Sequence, residues 1–179
     1  MIDRRATALL LKQLLYIGIG LLIIFYQLLP LKTTPPTWVG PNLLMAITIV
    51  YAVRRPAYIP IVSVALLFLF SDFILQRPPG LMSLFMVIGC EWLKRRSHHL
   101  RVATFGVEWL AVAIVIILQA IGSHLLLTLT MAPPPLVGLT AMQTTGTIML
   151  YPVLAFAAHH LLGIHKSPTD GDNLVRYRL

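Results

Sequence analysis

The sequence predicts an all-α membrane protein: a compact bundle of six transmembrane helices with both termini on the cytoplasmic side. Two observations carry this. The chain is 58% hydrophobic and only 11% charged, against roughly 25% charged in an average soluble domain. Its basic residues also alternate with its apolar runs. Six apolar stretches stand out, at residues 9–29, 37–53, 59–75, 79–93, 102–131 and 136–164. If each crosses a bilayer once, one face collects Arg4, Arg5, Lys12, Arg54, Arg55, Lys94, Arg95, Arg96, Arg101, Lys166, Arg176 and Arg178. The other face holds Lys32 and Arg77. Short cytoplasmic loops retain Lys and Arg, so a 12-to-2 division sets the orientation. Moving the span count by one destroys the alternation. A length of 179 residues is one domain, with the spans in residues 1–166 and a short polar cytoplasmic tail at 167–179.

The first apolar run follows Arg4, Arg5 and Lys12 as a signal peptide would. Residues 14–29 are too long for a typical signal core, and Gln27-Leu28-Leu29-Pro30 offers no small-residue cleavage site, so the run is expected to stay as an anchor. In the second, Trp38, Gly40 and Pro41 hold regular helix back to about Asn42. The first and the third are expected to span a hydrocarbon core of about 30 Å within error. The fourth, about 15 residues or about 22 Å of helix, is shorter than a hydrocarbon core of about 30 Å and is expected to rely on its neighbours for shielding. The fifth and sixth exceed the need and should tilt or bend, the fifth at Gly122-Ser123.

The connections are short: 31–36, 76–78 and 132–135 outside, 54–58 and 94–101 inside. Pro30, Pro35, Pro36, Pro56, Pro78, Pro79, Pro133, Pro134 and Pro135 mark their ends, because proline lacks an amide proton and fixes φ. Trp38 on the outer side, and Tyr51, Tyr58, Trp92 and Trp109 toward the inner side, fit interfacial aromatic belts.

The net charge of +8 flanks apolar spans instead of lining a polar surface, so membrane topology accounts for it and nucleic acid does not. Cys90 is the only cysteine, which excludes an intrachain disulfide; it reads as a small packing residue. Of six acidic residues, Asp3, Asp170 and Asp172 lie in the termini. Asp72, Glu91 and Glu108 fall in spans, where a charge costs about 2.5–3.5 kcal/mol and needs a partner or a purpose. Asp72, one turn before the outer end of the third span, reads as an anchor paired with Arg77 or with the amides of residues 79–81. A proton or substrate ligand, or a contact to a partner protein, is the alternative. Glu91 precedes Lys94 and Arg95 at ion-pair spacing. Glu108 either pairs helices or sits at headgroup level.

Adjacent histidines, His98-His99 and His159-His160, diverge around a helix and lack the i, i+3 or i, i+4 spacing of metal ligands. His124, alone in the fifth span, is expected to bond across to another helix. No nucleophile elbow or acid–base cluster appears, so the sequence points to no enzyme, metal or cofactor. The sixth span carries small residues, with Ala141 and Thr145 at the four-residue spacing that lets helix backbones approach, either within the bundle or against a partner's helix.

The junction Leu69-Phe70-Ser71-Asp72-Phe73-Ile74-Leu75-Gln76-Arg77-Pro78-Pro79-Gly80-Leu81 resembles the rod shape-determining protein MreD family. An aspartate late in one helix, a few polar residues and a glycine opening the next are its pattern. Trp38-Val39-Gly40-Pro41-Asn42-Leu43-Leu44 followed by Val53-Arg54-Arg55-Pro56 is similar to proteobacterial members. Many members carry glycine shortly before the aspartate; residues 67–70 here are all bulky. The resemblance implies a non-enzymatic subunit of the cell-elongation machinery in the bacterial inner membrane. MreC would be its nearest partner, with MreB, RodA and penicillin-binding protein 2 in the same complex. It also implies a bundle similar to the substrate-binding S component of energy-coupling-factor vitamin transporters, which is the second reading. An S component is expected to show an Ala-x-x-x-Ala stripe in its first span and a polar pocket open to the outside.

Overall fold

The computed structural model describes residues 3–29 and 39–161. Trp38, the connection 31–36, the tail 167–179 and the side chains of Arg101, His159 and His160 lie outside the described residues. The described residues form α1 (Asp3–Leu28), α2 (Leu43–Arg54), a 3₁₀ turn (Pro56–Tyr58), α3 (Ile61–Ile74), α4 (Leu81–Val102), α5 (Phe105–Leu129) and α6 (Val137–Leu161), with no strand among them. Within α1, Leu9–Leu28, together with the whole of α5, are long and apolar enough to cross a membrane. Helices α2 and α3 have 12 and 14 residues. They rise only about 18 Å and about 21 Å at 1.5 Å per residue.

The short α2 is the centre of the bundle. From Leu44 to Arg54 every residue except Ile47 is buried, against α4, α6 and α1. Helix α3 packs on α4, α4 on α5 and α5 on α6, while α1 lies along α3. The outward faces are apolar: Leu22 in α1, Phe73 in α3 and Leu125 in α5 are 69%, 62% and 67% exposed. Apolar surface this extensive is what a lipid-facing helix presents, and a soluble monomer seldom shows it. Polar groups turn inward instead, as where the buried Tyr16 and Thr48 hydroxyls meet at 3.1 Å between α1 and α2.

Bulky residues before Asp72 do not keep α3 away from its neighbour, because the small residue sits on the other helix. A Cβ on Gly20 of α1 would come within 2.4 Å of Leu67 Cδ2. The same exchange of bulk occurs at Gly122. Helix α5 runs unbroken through Gly122-Ser123, and a Cβ at Gly122 would lie 2.5 Å from the Phe85 ring of α4. That glycine makes room for Phe85.

Helix α4 corrects an expectation. It continues through residues 94–101 and ends at Val102, so the connection to α5 shrinks to Ala103-Thr104. The basic run contains no glycine or proline to stop a helix. Cys90, Leu93, Ser97 and Leu100 recur at helical spacing and are all buried, giving the charged turns an inward face. Lys94 Nζ donates to Glu91 Oε1 at 2.9 Å, and the Arg96 guanidinium stacks 4.7 Å from the Trp92 ring centre.

The ends of the bundle differ. One, here the upper, carries the α3–α4 and α5–α6 connections. The other, the lower, carries the 3₁₀ turn and Ala103-Thr104. At the lower end Lys12 Nζ donates to the Tyr58 hydroxyl at 2.8 Å, tying α1 to the turn.

Single cysteines test the orientation drawn from the charges. Pro134 at the upper end and His99 at the lower are exposed, and the native Cys90 is buried. An impermeant thiol reagent added to intact cells is expected to label Pro134→Cys and spare His99→Cys. Labelling of His99→Cys overturns the orientation and the span count.

Candidate functional site

Four features of the chain bear on function, and Asp72 builds the first. Helix α3 ends on Gln76 at φ 54, with Arg77 N donating to Asp72 O at 2.9 Å and Gln76 N to Phe73 O at 3.3 Å. This left-handed closing motif satisfies the last carbonyls of α3. The Asp72 side chain then reaches the start of α4. Its Oδ2 accepts from Gly80 N at 3.1 Å, Met82 N at 3.2 Å and Ser83 N at 3.4 Å. Gly80, the residue before α4, has φ 87, a conformation that suits glycine but leaves no side chain to cap the helix. Asp72 does the capping from the neighbouring helix, and its negative charge meets the positive end of the α4 dipole. Ser83 Oγ donates to Ala65 O at 3.1 Å and closes the joint from the other side. Oδ1 of Asp72 is buried without a hydrogen-bond partner among the described residues. Arg77 pairs with Asp72 through the backbone; partial burial lowers the guanidinium from its ordinary value, and the Asp72 charge opposes that shift. An arginine remains protonated regardless.

The second feature is ionic and lies at the lower end. Glu108 is fully buried; Tyr151 Oη donates to its Oε1 at 2.7 Å, and Arg54 Nε stands 3.7 Å from the same oxygen. Residues of α2, α5 and α6 thus share one buried cluster, and Glu108 joins helices as the first of its two expected roles. Sequence reasoning did not assemble it. The available signal was that Arg54 and Glu108 fall at the same end of the bundle under the charge-based topology, and that a buried acid needs a cation. Close by, Trp109 Nε1 donates to Ile148 O at 3.1 Å. Pro152 lies inside α6 and cannot supply the amide that would normally bond that carbonyl, so the indole takes its place.

The third feature is a cavity of about 590 Å³ at the upper end. It is bounded by the segment before α2, the α3–α4 connection, and the upper halves of α5 and α6. Asn42, Arg77, Gln119, Ser123, His124, Gln143 and Thr144 contribute polar groups, and Met45, Ile116 and Leu127 apolar wall. Gln119 Nε2 is fixed by Met82 Sδ at 2.9 Å and Ser123 Oγ at 3.2 Å. His124 Nε2 bonds the Pro135 carbonyl at 3.2 Å, so it reaches the α5–α6 connection and not another helix. A sequence search for polar ligands in the outer loops misses this site, because its polar groups lie mostly within helices.

The fourth is the small-residue face of α6, which divides in two. Ala155 and Ala158 are buried, whereas Ala141 and Thr145 are exposed. Asp72, Arg77 and Gly80 therefore meet in one joint, and Ala141 and Thr145 lie apart from it. The His98 and His99 rings stand edge-on, 5.8 Å apart, and no group of three metal-ligating side chains occurs among the described residues.

Comparison with protein-family models, with curated proteins and with solved structures finds no match.

Two stability predictions follow from this geometry. Asp72→Asn keeps an acceptor for the α4 amides and is expected to fold nearly as well as wild type. Asp72→Leu strands those donors, at about 1–3 kcal/mol, and should lower folded yield and melting temperature in detergent; equal behaviour of the two variants counts against the cap. For the lower cluster, Glu108→Ala leaves Arg54 buried without its acid and should cost on the order of 3 kcal/mol. Arg54→Met with Glu108→Leu removes both charges and should melt higher than Glu108→Ala alone.

Proposed function

We propose that this chain is a non-enzymatic subunit of the bacterial inner membrane of the MreD type, its six helices crossing the bilayer with both termini cytoplasmic. In this reading it binds MreC and helps couple the MreB filament to peptidoglycan synthesis by RodA and penicillin-binding protein 2. The observation that carries the proposal is the α3–α4 joint. Asp72 and Gly80, the residues on which the resemblance turns, are bonded to each other, and Asp72 caps the helix that Gly80 opens. A sequence pattern that forms a single mechanical element is a stronger basis than one scattered over a surface. The exposed apolar faces of α1, α3 and α5 support a lipid environment. Helices as short as α2 and α3 then cross within the shelter of longer neighbours, which is how mismatch with bilayer thickness is absorbed.

Association between helices in lipid depends on close packing and a few polar contacts, since lipid tails are as apolar as leucine. Ala141 and Thr145 offer such a surface to the membrane helix of MreC, because both are exposed. The cavity favours a second reading, an S component that binds a vitamin.

Purification of the tagged chain in mild detergent separates the two. MreC is expected to co-elute, and Ala141→Leu with Thr145→Leu should reduce it about tenfold, equivalent to about 1.4 kcal/mol, with no loss of the chain's own yield. Co-elution of ATPase subunits together with a retained vitamin, and no MreC, overturns the proposal in favour of the second reading.

A further inference from the structure

We propose that the upper cavity is a binding site for a phosphate-bearing amphiphile, its anionic head held by Arg77 and its carbon skeleton lying on Met45, Ile116 and Leu127. The inference rests on the membrane-embedded reading for its setting, but not on any protein partner. A volume of about 590 Å³ falls within the roughly 300–1,000 Å³ of small-molecule sites. The helix lengths explain why the space exists. Helix α2 stops at Leu43 and α3 at Ile74, while α5 and α6 have 25 residues each; the longer pair stands above the ends of the shorter.

Charge selects the ligand. Among the described residues that line the cavity, Arg77 is the only permanently charged one, and none is a carboxylate. The nearby acid, Asp72, is bonded to the amides of α4 through Oδ2 and does not line the cavity. The Arg77 guanidinium has no hydrogen-bond acceptor among the described residues, and a planar guanidinium binds phosphate through paired N–H donors. Gln143 on the opposite wall has an amide with no side-chain bond among the described residues, ready to meet a second oxygen. The apolar wall argues against a bare ion. Phosphate alone would lose its hydration against Met45, Ile116 and Leu127 with nothing in return, whereas a phosphoester brings carbon to cover them.

This chemistry has two sources: the head of a phospholipid such as phosphatidylglycerol, or a soluble phosphoester such as glycerol 3-phosphate. Both are tested on the full chain purified in mild detergent, without MreC. Native mass spectrometry is expected to show phosphatidylglycerol retained about tenfold over phosphatidylcholine. Arg77→Gln should abolish that preference, Arg77→Lys should restore part of it, and Arg96→Gln, at the lower end, should leave it unchanged. Gln143→Leu, which keeps the cation, should weaken retention by a smaller factor. If phosphatidylglycerol shows no preference but glycerol 3-phosphate raises the melting temperature in an Arg77-dependent way, the site stands and its source is the soluble ester. Retention equal in wild type and Arg77→Gln, with no response to glycerol 3-phosphate, overturns the site. Because no partner is present, that result leaves the MreC proposal untouched, and loss of MreC binding leaves this one untouched.

Discussion

The burial of α2 leaves its polar ends to be satisfied by local caps and by side chains of neighbouring helices. A 12-residue helix leaves its first amides and last carbonyls unpaired within itself, and in the middle of a bundle water cannot make up the difference. At the upper end Asn42 Oδ1 accepts from Met45 N at 3.2 Å, and Asn42 N donates to Thr147 Oγ1 of α6 at 3.0 Å. At the lower end Arg55 N closes back on Tyr51 O at 2.8 Å, while the Arg54 side chain runs to Glu108 and Tyr151. Helix α6 therefore serves both ends of α2, through Thr147 at Asn42 and through Tyr151 at the Glu108 that stands beside Arg54. Neither contact is strong alone. Together they tie α2 to α5 and α6, while α4 packs along its length.

Its shortness has a structural consequence at only one end. Below, the charged cluster and the 3₁₀ turn fill the space under α2, with Lys12 and Tyr58 closing the gap to α1. Above, Gly40 and Pro41 lie outside regular structure, and a Cβ on Gly146 would still lie 3.7 Å from Pro41, so the entering segment packs on α6 without crowding it. What remains is open volume between long helices. Its largely apolar wall carries a polar set because neighbouring turns of α5 and α6 bring Gln119, Ser123, Gln143 and Thr144 to it. In an apolar medium such groups are costly unless bonded to one another or to a ligand, which is why Gln119 is held by Ser123 and Met82 while Gln143 stands out.

Helix positions were legible where glycine, proline and charge punctuate apolar runs. The start of α2 beside Asn42 is one case, since Trp38-Val39-Gly40-Pro41 rules out an earlier start and asparagine is a good cap. The Asp72 joint was legible as a pair of alternatives, side-chain pairing with Arg77 or bonding to amides after Pro78; geometry chose the amides, and extended them to Met82 and Ser83. The continuation of α4 through residues 94–101 was hidden by its charge. High charge density marks either a loop or an amphipathic helix, and only the buried spacing of Leu93, Ser97 and Leu100 decides, a property of what lies opposite. Gly122 shows the same limit. A glycine that bends a helix and one that admits a neighbour's ring look alike until Phe85 is placed. The Arg54–Glu108–Tyr151 cluster and the cavity each need three or more helices to be positioned first, and no local pattern encodes that.

Helix α6 joins these features while keeping them separable. Thr144 lines the cavity, and Thr145 is exposed. Consecutive residues on a helix diverge by about 100°, so a face one residue over belongs to a different surface. Thr147 then turns to Asn42, and Tyr151 to Glu108. One helix thus borders the cavity, anchors the central helix and presents a small-residue surface outward, with different side chains for each task. Ala141 and Thr145 are exposed and are not among the residues that line the cavity or bond to α2, so a substitution there acts on the outward surface. Loss of binding there, with folding intact, can be assigned to that surface alone, which is not true of the buried residues of α2.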